Sequence, residues 1–173
     1  MEKRDLYNEN RKLINKTIFK NEDIPSENYI LMVVAFIENL DGRYLIQKRS
    51  ELKGGEWAFT GGHPKHGESS LEGVKTEIKE ELGIVVENPI LFKSVKGKNV
   101  FCDLYYVKQD INLNDVVKQD EEVSEVMLVT KEEIDSLFSE GIFKKGHYMM
   151  FNDYLEYKNK YNRYWRYDDI NYL

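Results

Sequence analysis

Hydrophobic and polar positions along this chain change period several times, and each change marks an element. Residues 29–38 form a nearly continuous run of β-branched, aliphatic and aromatic side chains, the pattern of a strand covered on both faces. Asn39-Leu40-Asp41-Gly42 supplies a hairpin signal, and residues 44–49 answer as a second strand. A glycine-rich loop follows, from Gly54-Gly55 through Gly61-Gly62 to Gly67. The period then becomes helical: Leu71, Val74, Ile78 and Leu82 recur at spacings of 3, 4 and 4, one apolar stripe facing a core. Ser69 with Glu72 can form a capping box at its start, and Gly83 stands where a C-terminal glycine cap belongs. Strand-like segments resume at residues 84–86, 90–95, 100–107 and 123–129. Residues 131–140 predict a short helix, and 148 to about 165 a longer one.

Residues 1–27 are polar and lysine-rich, the pattern of an extended arm or short strands laid on the rest. Residues 147–173 form an aromatic-rich helix and tail. No repeat or linker interrupts the chain, and mixed strands among helices predict one layered α/β domain over residues 1–173. A length of 173 residues agrees: enough for one core, too short for two ordinary ones.

Charge narrows the partners. Lys plus Arg total 25 against 31 Asp plus Glu, a net charge of −6, which repels phosphate backbones and argues against nucleic-acid binding. The longest apolar stretch, residues 30–37, is far below the roughly 20 residues of a membrane helix, so no membrane partner is expected. The single cysteine, Cys102, excludes an intrachain disulfide framework and a multi-cysteine zinc site. With no apolar leader behind Met1, the cytoplasm is the expected compartment.

The helix at residues 70–82 carries the chemistry. With Leu71 at 0°, Glu77, Glu81 and Glu80 fall at about 240°, 280° and 180° on the helical wheel. Three carboxylates thus share one side, and each unneutralised pair costs the helix about 0.2–0.5 kcal/mol. Two readings fit: a solvated acidic face, or a site for a hard cation such as Mg²⁺, which favours carboxylates and substrate phosphates.

The residues before the helix favour the second reading. From Gly62 the chain runs Gly-His-Pro-Lys-His-Gly-Glu-Ser-Ser-Leu-Glu-Gly-Val-Lys-Thr-Glu-Ile-Lys-Glu-Glu-Leu-Gly-Ile. This resembles the Nudix box, G-x5-E-x7-R-E-U-x-E-E-x-G-U with U apolar. Gly62, Glu68, Glu77, Ile78, Glu80, Glu81, Gly83 and Ile84 occupy eight of its nine specified positions. The departure is Thr76, where the family has an arginine that pairs with the box glutamates and holds their rotamers. Lys75 and Lys79 are the nearest cations along the helix, both pointing partly away. The resemblance covers roughly residues 28–140 and implies a Nudix-type α/β/α sandwich with a mixed central sheet.

It also implies an activity: Mg²⁺-dependent hydrolysis, with Mn²⁺ as a substitute, of a nucleoside diphosphate linked to another moiety. Carried over by position, Glu77 and Glu81 are the main metal ligands with Glu80 beside them, and the Gly61 carbonyl is a further one. Glu77, Glu80 and a later glutamate, Glu121 or Glu122, supply catalysis. Arg49 is placed to meet a substrate phosphate, Trp57 to pack at the loop base, and Glu68 to hold the loop. The partner is a small nucleoside diphosphate derivative, and the chain is a monomer or homodimer.

Two other readings stand beside this one. Arg4-Asp5-Leu6-Tyr7-Asn8-Glu9-Asn10-Arg11 and Gly62-His63-Pro64 also resemble the isopentenyl-diphosphate isomerase branch, in which His63 would match a metal-binding histidine. That branch needs a catalytic cysteine where this chain has Gly61, and Cys102 is about 40 residues away. The third reading is a diphosphate-binding module without turnover, motivated by Thr76. Seven of the twelve tyrosines lie in the C-terminal segment, and Tyr154, Tyr157, Tyr161 and Tyr164 share a helical face beside Trp165. Core packing or a dimer contact, or a ring lidding a substrate pocket, both fit that spacing. No subfamily signature names the substrate; Asn99 stands where a proline would suggest ADP-ribose.

Overall fold

A computed structural model describes residues 2–171, with side chains described through Tyr161. In chain order the strands are β1 (Lys3–Tyr7), β2 (Leu13–Phe19), β3 (Ile30–Glu38), β4 (Tyr44–Arg49), β5 (Trp57–Ala58) and β6 (Thr60–Gly62). Helix α1 (Ser70–Leu82) precedes β7 (Ile90–Gly97), β8 (Val100–Lys108) and β9 (Val123–Val129), and α2 (Lys131–Ser139) and α3 (Lys145–Asn171) close the chain.

The central sheet is mixed, as expected: β3 and β8 run parallel, while every other pairing is antiparallel. Alternation along β3 sends its side chains to two cores. Val33, Ala35 and Ile37 pack with Val74, Ile78 and Leu82 of α1, while Val34 and Phe36 pack with Ile134 of α2 and Phe151 and Tyr154 of α3. Helices therefore cover both faces of the sheet, which is the predicted sandwich. The arm at residues 1–27 contains the hairpin β1–β2, whose Leu6 and Ile18 bury against Ile30.

Strands β3 and β4 pair only near their shared turn, at Ile37↔Leu45 and Glu38↔Tyr44. Beyond it they part. β6 takes the freed edge of β3 at Val33–Ala35, and β5 takes that of β4 at Gln47–Lys48. The parting explains a difference from the sequence reading: the glycine-rich loop contains two short strands, because the opened edges need partners for their N–H and C=O groups.

Three further differences are local. Residues 84–86 form no strand; Val86 is buried without a ladder partner. Leu71 is exposed, so the buried stripe of α1 is Val74, Ile78 and Leu82. α3 begins at Lys145, ahead of the expected start. The capping box of Ser69 and Glu72 and the left-handed Gly83 cap bound α1 as read.

Candidate active site

Where β3 and β4 part, a cleft of about 270 Å³ opens at the sheet end, between the hairpin, α1 and the start of α3. Glu77 and Glu81 reach it from α1. Glu77 accepts the His63 N–H (3.0 Å), and its carboxyl closes over Gly62 so tightly that a Cβ there would lie 2.3 Å from Glu77 Cδ. Glu81 accepts from Gln47 Nε2 (2.8 Å) and from the Gly61 backbone. Gln47 in turn accepts from Thr60 Oγ1 (3.0 Å), so a buried amide on β4 fixes the Glu81 rotamer.

Burial dominates the electrostatics here. It pushes the Glu77 carboxyl up to about 7 and the Glu81 carboxyl up to about 8, helped in Glu81 by the neighbouring charges of Glu77 and Glu122. Two desolvated carboxylates facing one cleft are an arrangement that a bound cation relieves. As the side chains stand, no three His, Cys, Asp or Glu residues among those described converge closely enough to hold a metal ion. The side chains that could hold a cation here are therefore the carboxylates of Glu77 and Glu81. That fits Mg²⁺, which keeps several waters and takes its remaining ligands from phosphate.

The other expected residues separate. Glu80 lies at the cleft's edge, half exposed and paired with Lys65 rather than with its helix neighbours. Glu122 lines the cleft, with Lys53 at 3.0 Å and Lys20 at 3.8 Å, whereas Glu121 is exposed and gives only its carbonyl to Ser50 Oγ. Arg49 lines the cleft and lies 3.9 Å from Glu56. Trp57 packs in the core beside Phe59, away from the cleft lining. Glu68 holds the loop, accepting from Lys65 N–H (2.8 Å) and Thr76 Oγ1 (2.8 Å). Thr76 thus keeps a grip on the first box glutamate, and the cation for Glu80 comes from the loop, not from Lys75 or Lys79.

His63 donates Nδ1–H to the Leu31 carbonyl (2.9 Å), and burial holds it neutral, down to about 4. Tyr148, Tyr154, Tyr157 and Tyr161 do not line the cleft; Tyr154 packs against Phe36 and donates to buried Glu38 (2.7 Å). Tyr164, Trp165, Tyr167 and Tyr172 lie outside the residues whose side chains are described.

Several cleft residues escaped the sequence reading. Gln47 carried a usable signal, since alternation puts it on the face of Leu45, toward α1. Lys144 and His147 carried none. They arrive because Phe143 bridges to Trp57 and Lys144 N–H donates to the Trp57 carbonyl (2.8 Å). His147 Nδ1 accepts the Phe59 N–H (3.2 Å), so its proton sits on Nε2, and burial lowers its pKa to about 3.

Residues 29–151 match the family described as NUDIX domain. The chain belongs to the Nudix family. It is 36% identical over 165 residues to an uncharacterised Nudix hydrolase of Listeria innocua, covering 92% of this chain and 96% of the relative. It is 29% identical over 121 residues to the nucleoside triphosphatase NudI of an Enterobacter species, covering 61% of this chain and 85% of the relative. The crystal structure of DR0079 from Deinococcus radiodurans matches with TM-score 0.67 at 22% identity, over 83% of this chain and 93% of the other, a likeness of fold. Its family and relatives make this Nudix protein a pyrophosphohydrolase. Among the described residues, no helix is long and apolar enough to cross a membrane.

Proposed function

We propose that this protein hydrolyses the pyrophosphate bond of a nucleoside diphosphate carrying a further group, with Mg²⁺ as the working cation. Mn²⁺ substitutes for it. The reading rests on one observation above the others: buried Glu81 and half-buried Glu77 are oriented by Gln47 and the His63 N–H and line one cleft. They hold the cation together with the Gly61 carbonyl. When bound, the cation neutralises diphosphate charge and favours attack at phosphorus.

The chain's own groups do the rest. Arg49 meets a phosphate oxygen, and Glu122, the later-loop carboxylate that reaches the cleft, takes the proton of the attacking water. Glu80 at the edge and exposed Glu121 play smaller parts. The substrate is a small molecule met in the cytoplasm, and nucleoside triphosphates head the candidates because NudI is named for them.

A binding module without turnover is favoured only by Thr76, and its hydrogen bond to Glu68 weakens that case. The isomerase reading has worse support. A side chain at position 61 would bring Cβ to 2.6 Å from the Val33 carbonyl oxygen, and Cys102 is buried with its thiol pushed up to about 12.

The test is phosphate release from nucleoside triphosphates, nucleotide sugars, ADP-ribose and dinucleoside polyphosphates, with Mg²⁺ or Mn²⁺. Wild type should turn over one class and Glu81→Gln should lose at least about a hundredfold. Metal binding with no turnover of any compound would hand the case to the binding module.

A further inference from the structure

Hairpin β1–β2 lies outside the residues that match the NUDIX domain, yet it walls the cleft with Glu2, Arg4 and Lys20. It is fastened to the loop that enters α1. His66 N–H donates to the Lys3 carbonyl (2.8 Å), and the Asp5 carboxylate accepts Gly67 N–H (2.9 Å) and meets His66 Nδ1 (2.7 Å). At the hairpin turn Arg11 reaches across to β8 and forks onto the fully buried carboxylate of Asp103.

Arg4 is the unusual member of this wall. Its side chain is only 13% exposed, yet its guanidinium donates no hydrogen bond to any described residue. Nε is fully buried without a hydrogen-bond partner, the one such side-chain nitrogen or oxygen among the described residues. The nearest carboxylate oxygen, Glu2 Oε1, stands 3.8 Å away, too far for a hydrogen bond. The other carboxylate whose charge acts on Arg4 is Glu77, which lines the same cleft. A desolvated guanidinium with empty donors is costly, and an arginine kept only for structure would be paired as Arg11 is. Arg4 lines the cleft together with Glu77 and Glu81.

We propose that Arg4 is a substrate-binding residue whose planar fork takes the oxygens of the diphosphate at the Glu77–Glu81 site. Arginine suits that task because its fixed donors match two phosphoryl oxygens at once, and a lysine offers a single point charge. The assignment rests on the hydrolase reading and extends it: recognition of the anionic chain is shared between the matched domain, through Arg49, and the hairpin outside it.

The probe is methylenediphosphonate, which cannot be hydrolysed, titrated with Mg²⁺ into wild type, Arg4→Gln and Arg4→Lys. Arg4→Gln should weaken diphosphonate binding by roughly ten- to a hundredfold, and Arg4→Lys should recover part of it. Mg²⁺ affinity without diphosphonate should not weaken, because Arg4→Gln removes a positive charge that acts on Glu77. In isotope-labelled wild type, the Arg4 Nε–H resonance should move on adding diphosphonate, a readout that does not depend on how the variants fold. Unchanged diphosphonate binding in Arg4→Gln, an unmoved resonance, or an equal loss of Mg²⁺ affinity would each overturn the assignment. If wild type hydrolyses its substrate and Arg4→Gln matches it in KM, only the role of Arg4 falls. If wild type neither binds diphosphonate nor hydrolyses anything, both readings fall together.

Discussion

Gly62→Ala separates the position of the Glu77 carboxylate, proposed above as a cation ligand, from its presence. Gly62 has ordinary backbone angles, outside the left-handed set, so alanine adds no strain of its own. The added methyl would sit 2.3 Å from Glu77 Cδ and 2.4 Å from both carboxylate oxygens. Ordinary contact begins near 3.4 Å, so the carboxyl must retreat by about 1 Å (3.4 less 2.3). Glu77 is a flexible side chain and can do so cheaply, which predicts a melting temperature within about 3 °C of wild type. The retreat breaks the bond from His63 N–H (3.0 Å) and moves the carboxylate away from the place proposed for the cation. Displacement of about 1 Å at a reacting centre costs on the order of a hundredfold. Steady-state kinetics on the substrate identified from the panel should therefore show kcat/KM down by about a hundredfold in a folded protein. Gly146→Ala, with open space around its Cβ, is the control. A Gly62→Ala enzyme within about threefold of wild type would refute the argument that this glycine exists to let Glu77 close over the backbone.

Two other outcomes follow from the same geometry. Metal-free Glu77 and Glu81 keep protons to about 7 and 8, against 4.5 when exposed, so the folded state binds more protons and stability falls as pH rises through those values. Thermal melts should drop between about pH 7 and 8.5, above the midpoint near 6.5 at which unfolded histidines lose their protons, and saturating Mg²⁺ should close the gap with proton release; a flat profile without metal would contradict the burial argument. Arg11→Ala leaves the Asp103 carboxylate buried with only the Ser70 and Ser94 hydroxyls as partners, and denaturant unfolding should show a loss of about 3–5 kcal/mol; a loss under about 1 kcal/mol would mean that the hairpin turn is not tied down by this pair.

Local signals made much of the molecule readable in advance. The two-sided burial of β3 follows from its continuous apolar run, and the limits of α1 follow from Ser69, Glu72 and Gly83, because caps and periods act within a few residues. The carboxylates of α1 were visible for the same reason. What stayed hidden depends on partners distant in sequence. Strands β5 and β6 exist because β3 and β4 part, which no property of a glycine-rich segment announces. Lys65 as the partner of Glu80, and His147 as the acceptor for Phe59, come from loops whose paths are set by the whole fold. Thr76 shows the middle case: its departure from the motif was plain, but its hydrogen bond to Glu68 required the loop in place.

The parting of β3 and β4 has a consequence for how such an enzyme changes over time. Its floor, with Gly61, Gly62 and Gln47, is hydrogen-bonded sheet and cannot be remade without unpicking strands. Its walls are attachments: a hairpin seated on the start of β3 through Leu6 and Ile18 and tied to one loop and one aspartate, and the first turn of α3. The carboxylate chemistry is thereby insulated from the parts that meet the rest of the substrate. Selection, or an engineer, can exchange a wall to admit a different molecule and leave the reacting centre where it was.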